Sequence, residues 1–140
     1  ERLPNGVYER FSSARAGMGM TIYPVDQADV MRLLSDDVAV GRLVCLLADR
    51  DLSSHGLRIA WPGSDGEVGV PAGPALLARR TGADLRVATT HFRGARLRIE
   101  VSDRIVGDSP RELMAGAVAV FADAVRRNPE SWLMLRKVFR

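Results

Sequence analysis

Sulfur chemistry is almost absent from this chain. Cys45 is its single cysteine, so no disulfide framework and no cysteine-based metal site can form, and its place in an apolar run reads as core. Only two histidines occur, His55 and His91, and two isolated imidazoles without a cysteine partner argue against a zinc site. No stretch of eighteen apolar residues is present, so no membrane-spanning helix is expected. The start, at Glu1, carries no export signal and no methionine. A cytoplasmic location follows as an expectation, with peripheral membrane contact allowed, and a processed product or a fragment is the natural reading of that start. Aromatics make up 6% of the residues and lysine occurs once, at Lys137. The 20 basic residues against 17 acidic ones are otherwise arginines scattered through the chain, a pattern that gives a nucleic-acid groove little support and leaves an anionic lipid or a phosphorylated substrate compatible. The chain also lacks G-x-S-x-G, a P-loop and the G-x-G-x-x-G spacing, which removes the usual signatures of hydrolases and nucleotide binders.

What remains is an ordinary globular composition, 46% hydrophobic and 26% charged over 140 residues, enough for a single domain. Asn5 is placed to cap a first helix carrying Val7, Phe11, Ala14 and Met18, and Met20 to Val25 then reads as a strand. Asp26 is placed to cap a second helix with Val30, Leu33, Leu34 and Val38 on one face, closed by Gly41 before a strand from Leu43 to Ala48. Strand, helix, strand predicts a βαβ unit with parallel strands, and an unbroken apolar run predicts burial on both faces. Leu57 to Trp61 is a short strand. The stretch from Pro62 to Gly73, with four glycines and two prolines, reads as irregular. A third helix to Arg80, stopping at Gly82, turns Leu76 and Leu77 inward. Leu85 to Thr90 and the alternating Arg96 to Val101 are neighbouring strands. Ser109-Pro110-Arg111-Glu112 opens the last long helix, striped by Leu113, Ala117, Val120, Phe121 and Ala124 and ended by Asn128-Pro129. The expected fold class is therefore α/β, with a mixed, mainly parallel sheet flanked by helices.

The apolar run Val44 to Ala48 ends abruptly in Asp49-Arg50-Asp51. In open parallel sheets ligands bind beyond the carboxyl ends of strands, which makes these three residues a candidate site. They are read equally well as a loop cap, Asp49, and an Asp51–Arg50 pair. Arg50 offers a planar fork suited to phosphate. His55 lies in the same polar loop, where an unrelated hydrolase using Ser54 and His55 is a further alternative. Trp132, Leu135 and Phe139 recur at helical spacing beside Arg136, Lys137 and Arg140, a stripe fit either for a membrane interface or for packing on the sheet.

Three segments together carry a resemblance. Cys45-Leu46-Leu47-Ala48-Asp49-Arg50-Asp51-Leu52 with Gly56, Pro71-Ala72-Gly73-Pro74-Ala75-Leu76-Leu77-Ala78 with Thr81-Gly82-Ala83, and Pro129-Glu130-Ser131-Trp132 with Met134-Leu135 and Val138-Phe139 are similar, in order and spacing, to the lysophospholipid acyltransferase superfamily. The similar branch contains the bacterial lipid A lauroyl and myristoyl acyltransferases and, closest in pattern, the actinobacterial phosphatidylinositol mannoside acyltransferases. The resemblance implies the C-terminal half of a glycerolipid acyltransferase-like fold. It implies transfer of a fatty acyl group from acyl-CoA, the donor substrate, to a hydroxyl of a glycolipid acceptor at the inner face of the cell membrane. No further cofactor, no metal and no nucleic acid is implied. The family base is a histidine followed, after four residues, by an acid that orients it. His55 and His91 have Ala60 and Arg96 five positions on, so neither fits, and the base is expected upstream of these residues. Carried over residue by residue are Asp49, matched to an acidic position near that base where similar proteins have glutamate, and Arg15, matched to a first-helix arginine that can pair with the acid. Arg15 and Arg50 are accordingly grouped as substrate-binding, and Asp49 as catalytic. The competing expectation is a non-catalytic lipid- or partner-binding module on the same scaffold.

Overall fold

A computed structural model describes residues 6–49, 51, 55–134, 138 and 139. It divides into two compact units, one ending at Val44 and one beginning at Cys45.

The first unit holds α1 (Val7–Ala16) and α2 (Val30–Ala39). The helix α1 starts from Gly6, whose φ of 72° is a conformation glycine adopts without strain, and no side chain caps it; the expected cap, Asn5, lies outside the described residues. The expected Asp26 cap of α2 is displaced. Asp29 holds the cap position at φ 62°, with no capping bond from its side chain. At the other end Gly41, at φ 80°, lets its own amide reach the Val38 carbonyl (2.9 Å) and the Arg42 amide reach that of Asp37 (3.0 Å), as a left-handed helix terminus does. Val30, Leu33, Leu34 and Val38 are half-buried on one face, as the spacing predicts. Asp37 ties the unit together, accepting from the Tyr23 hydroxyl at 2.9 Å and from Arg42 at 2.8 Å.

The second unit contains β1 (Leu57–Ala60), β2 (Glu67–Val70), α3 (Gly73–Thr81), β3 (Ala88–Arg93), β4 (Arg96–Val101), α4 (Pro110–Arg127) and a 3-10 turn at Pro129–Ser131. Its core forms where Leu113, Met114, Ala117 and Val118 of α4 meet Ile59, Val68 and Val70 of the first hairpin, with Ala75 of α3 and Val87 filling in. The start of α4 is a reciprocal cap: the Glu112 amide donates to Ser109 Oγ at 3.1 Å, and the Asp108 amide donates to Glu112 Oε2 at 2.8 Å. Gly82, at φ 74°, ends α3 as expected. Of the two leucines predicted to face inward, Leu77 is buried and Leu76 is exposed.

The mainly parallel sheet does not form among the described residues. Among the described residues there are two antiparallel pairs, β1 with β2 and β3 with β4. Hydrophobic period reports a tendency to extend, whereas a strand needs a neighbour, and the neighbours here come from short connections, which force antiparallel pairing. Met20 to Val25 and Leu43 to Ala48 accordingly join no ladder. The second of these runs is not buried on both faces either: Val44 and Ala48 are half-buried while Leu43, Cys45 and Leu47 are exposed. The stretch expected to be irregular contains β2. The strand expected over 85–90 begins three residues later, after an extended lead-in held by the Ser102 amide on the Val87 carbonyl (2.9 Å) and the Ile105 amide on that of Leu85 (2.8 Å).

Candidate active site

The strand β2 organises the candidate site. The Trp61 amide donates to the Gly66 carbonyl at 2.9 Å, and the register pairs Ile59 with Val68 and Leu57 with Val70. In an antiparallel pair hydrogen-bonded positions alternate, so Glu67 and Gly69 turn their peptide groups to the opposite edge. Two of the segments that carry the resemblance attach there. The Asp51 amide donates to the Gly69 carbonyl at 2.7 Å, and Phe139 forms an antiparallel bridge with Val68. The third segment begins at Pro71, immediately after the last residue of β2.

The acidic loop is closed by its own side chain. Asp51 Oδ2 accepts from the Gly56 amide at 2.8 Å, a charge-assisted bond. A β-carbon at Gly56 would lie 2.3 Å from that oxygen and 2.7 Å from the Asp51 Cβ. Asp49, two residues before this anchor, is half-buried, and among the described residues it has neither a hydrogen bond nor an ion pair. The nearest backbone anchor is at Asp51, two residues on. Arg15 belongs to the first unit, where its guanidinium lies over the Phe11 ring at 4.7 Å. Arg50 and Ser54 lie outside the described residues, and His55 is exposed.

Beside the loop, Trp61 stacks on Trp132 with ring centroids 5.4 Å apart and planes inclined at 13°, and Phe139 meets Trp61 edge-on at 5.4 Å. Gly66 makes room for this: a β-carbon there would come within 3.1 Å of Phe139 Cβ. The C-terminal aromatics are therefore packed on the first hairpin. Trp132 leaves the 3-10 turn in an extended conformation, so the helical stripe expected there does not form at that residue. Sequence reasoning marked Trp132 and Phe139 and missed Trp61, whose only signal was its place at the end of a predicted strand.

A second polar cluster was not foreseen. Glu100 Oε2 accepts from Arg127 Nη1 at 2.9 Å, and Arg127 Nε also donates to Asp123 at 2.9 Å. His91 Nε2 lies 3.9 Å from Glu100 Oε1, beyond hydrogen-bond reach. The Arg127 bond holds the Glu100 carboxyl below its ordinary range, and Glu100 and Asp123 together raise the Arg127 guanidinium. Arg127 is the hydrogen-bonded partner of this carboxylate and His91 a longer electrostatic neighbour, so the array fastens β4 to α4. The Asp123–Arg127 spacing is visible in the sequence; the partner 27 residues away is not. Among the described residues no three histidine, cysteine or carboxylate side chains are grouped to hold a metal.

The sequence pattern describing "Bacterial lipid A biosynthesis acyltransferase" matches residues 1–140. The chain is 32% identical over 142 aligned residues to the phosphatidylinositol mannoside acyltransferase of Mycobacterium tuberculosis (strain ATCC 25618 / H37Rv), covering 97% of this chain and 44% of that protein. It is 32% identical to the protein of the same name from Mycolicibacterium smegmatis (strain ATCC 700084 / mc(2)155), covering 97% of this chain and 46% of the relative. The chain thus spans slightly under half the length of these curated relatives.

Proposed function

This chain belongs to the bacterial lipid A biosynthesis acyltransferase family, and from that premise we propose that it is part of an enzyme moving a fatty acyl group from acyl-CoA to a hydroxyl of a phosphatidylinositol mannoside at the inner face of the cell membrane. The observation that carries the proposal is the identity of 32% sustained over 97% of the chain with proteins named phosphatidylinositol mannoside acyltransferase. In the transfer the acceptor oxygen bonds to the thioester carbonyl carbon and the carbon–sulfur bond breaks. The acceptor proton, taken up by a general base, returns to the departing thiolate to give coenzyme A. Asp49 supports a histidine base contributed by a part of the protein outside these 140 residues, and Arg15 and Arg50 serve substrate binding, Arg50 by meeting a phosphate of donor or acceptor. The anchoring of Asp51 to Gly69 and Gly56 supports this reading, because it fixes the backbone two residues from Asp49.

The test is acyl transfer by the full gene product from labelled acyl-CoA to purified phosphatidylinositol mannoside. Transfer above a heat-killed control is expected, with a fall of about 100-fold or more for Asp49→Asn and no turnover by the 140-residue chain alone. Undiminished turnover in the Asp49→Asn protein would remove Asp49 from the mechanism. Acyl-CoA binding without transfer to any acceptor would put the binding-module alternative in its place.

A further inference from the structure

The register of the second hairpin sets like charges against each other. β3 and β4 pair His91 with Arg98 and Arg93 with Arg96, and strand alternation puts these four side chains on the face that also carries Glu100. Residues directly opposite have β-carbons about 4.5–5.5 Å apart, and like charges in that position destabilise the pair. Arg98 adds a third guanidinium, on the diagonal from Arg93 and two residues from Arg96. The turn fixes this arrangement. Gly94, at φ 61°, is the first central residue of a two-residue connection, the place where a type II′ hairpin requires glycine, and a slip of one residue would exchange the two faces.

No acid among the described residues relieves the crowding. Every aspartate and glutamate except Glu1 is described, and within that set Arg93, Arg96 and Arg98 have neither a hydrogen bond nor an ion pair. Glu100, the nearest carboxylate on the ribbon, is taken by Arg127. Elsewhere the chain pairs its arginines: Arg32, Arg42, Arg58, Arg104 and Arg126 each meet a carboxylate. The three unpaired side chains are exposed and, with Leu97, line an open depression of about 350 Å³. Folds break a local rule of this kind at functional sites and recover the cost elsewhere; here the missing compensation is an anion. Its charge follows from the site. Three guanidinium groups exceed what a phosphodiester, with one negative charge, balances, whereas a single phosphomonoester already carries about 1.5 to 2 charges at neutral pH and a diphosphate more. The planar fork of each guanidinium takes two phosphate oxygens at once.

We propose that Arg93, Arg96 and Arg98, at the tip of the β3–β4 hairpin, form a binding site for a soluble ligand bearing a diphosphate group. The site is read from the hairpin alone and stands apart from the acyl-transfer reading.

The experiment is arginine modification of the full gene product by phenylglyoxal at constant ionic strength, with each modified side chain mapped by mass spectrometry and pyrophosphate as the probe. Arg93, Arg96 and Arg98 are expected to react readily without the probe and about tenfold more slowly with pyrophosphate held roughly tenfold above its Kd. Arg10 and Arg80, which also have no partner among the described residues, are expected to react alike in both conditions. Unchanged rates at the three hairpin arginines would overturn the proposal. Slow reaction before any anion is added would do so too, because the rest of the protein would then cover the tip. Glycerophosphoinositol, a single phosphodiester, is expected to protect weakly, and protection equal to that by pyrophosphate would refute the diphosphate assignment. Arg96→Glu separates a ligand site from a structural one. It sets a carboxylate opposite Arg93, so the urea midpoint without ligand is expected to rise while pyrophosphate no longer protects Arg93 and Arg98. A lower midpoint, or protection retained in this variant, would contradict the argument from unrelieved charge.

Discussion

Gly56→Ala tests whether the acidic loop is held as described. Gly56 does not have a positive φ, so its backbone admits an alanine. The expected loss comes from space. The new methyl would overlap Oδ2, Cγ and Cβ of Asp51 at 2.3, 2.5 and 2.7 Å, and because Cβ is fixed to the backbone, no rotation of Asp51 alone clears it. The carboxylate must leave the Gly56 amide, a charged hydrogen bond of roughly 1.5–3 kcal/mol. The segment must also pull on the Asp51–Gly69 backbone bond, of about 0.5–1.5 kcal/mol. Asp51 is half-buried, so solvent competes for its carboxylate, and a net destabilisation of about 2 kcal/mol is expected. Urea unfolding of the chain followed by circular dichroism measures it, as a lower midpoint at unchanged slope. The cause is isolated by Asp51→Gly, which removes every atom in the clash. In that background Gly56→Ala is expected to cost under about 0.5 kcal/mol, leaving a coupling of 1 kcal/mol or more. Equal costs in the two backgrounds would refute the steric argument and with it the account of how Asp49 is positioned.

Three further outcomes follow from the same physics. Met114 is fully buried at the centre of the core, so Met114→Ala is expected to lower unfolding free energy by about 2–5 kcal/mol; a loss under 1 kcal/mol in urea would remove that face of α4 from the core. Arg127 lowers the folded pKa of Glu100, so this pair's stabilisation is full above the unfolded carboxyl value and is lost as pH falls through the lowered one. The midpoint difference between the native chain and Glu100→Gln is therefore expected at neutral pH and to vanish in acid; a difference unchanged below pH 3 would contradict it. Tyr23 is raised above 10.0, first by its hydrogen bond to Asp37, so its contribution is full below pH 10 and is lost as pH rises through the raised value. Ultraviolet titration in a Tyr8→Phe background is expected to move to lower pH on Asp37→Asn, and an unmoved titration would discount the bond.

Local chemistry was legible. The cap at Ser109, with its proline and Glu112, fixes where α4 starts from four adjacent residues, and Gly82 ends α3 for the same kind of reason. The alternation of Arg96 to Val101 gave a strand and its neighbour, though not which face would be outward, because that depends on Glu100 meeting Arg127. Leu76 and Leu77 show the limit of a stripe judged by composition: adjacent residues on a helix point about 100° apart, and only one can face the core. The parallel sheet was inferred from two apolar runs that find no partners among the described residues. Leu43, Cys45, Leu46 and Leu47 are exposed and only Val44 and Ala48 are half-buried, an outcome that an unbroken hydrophobic string conceals.

The segment that sequence reading set aside as irregular supports the candidate site. Glu67–Val70 is four residues long with a glycine inside and Gly66 and Pro71 at its borders, so turn-forming residues outweigh the short alternation of Val68 and Val70. Those same features make it usable as a platform. Gly66 admits the Phe139 ring, Gly69 faces Asp51 with no side chain of its own, and Pro71 stops the strand and leads into α3. Three segments whose order and spacing alone suggested a family are thereby joined through β2: one by a backbone bond to Gly69, one by a bridge to Val68, and one by direct continuation of the chain. The glycines that hide the strand from a propensity argument allow the acidic loop and the C-terminal aromatics to approach it closely.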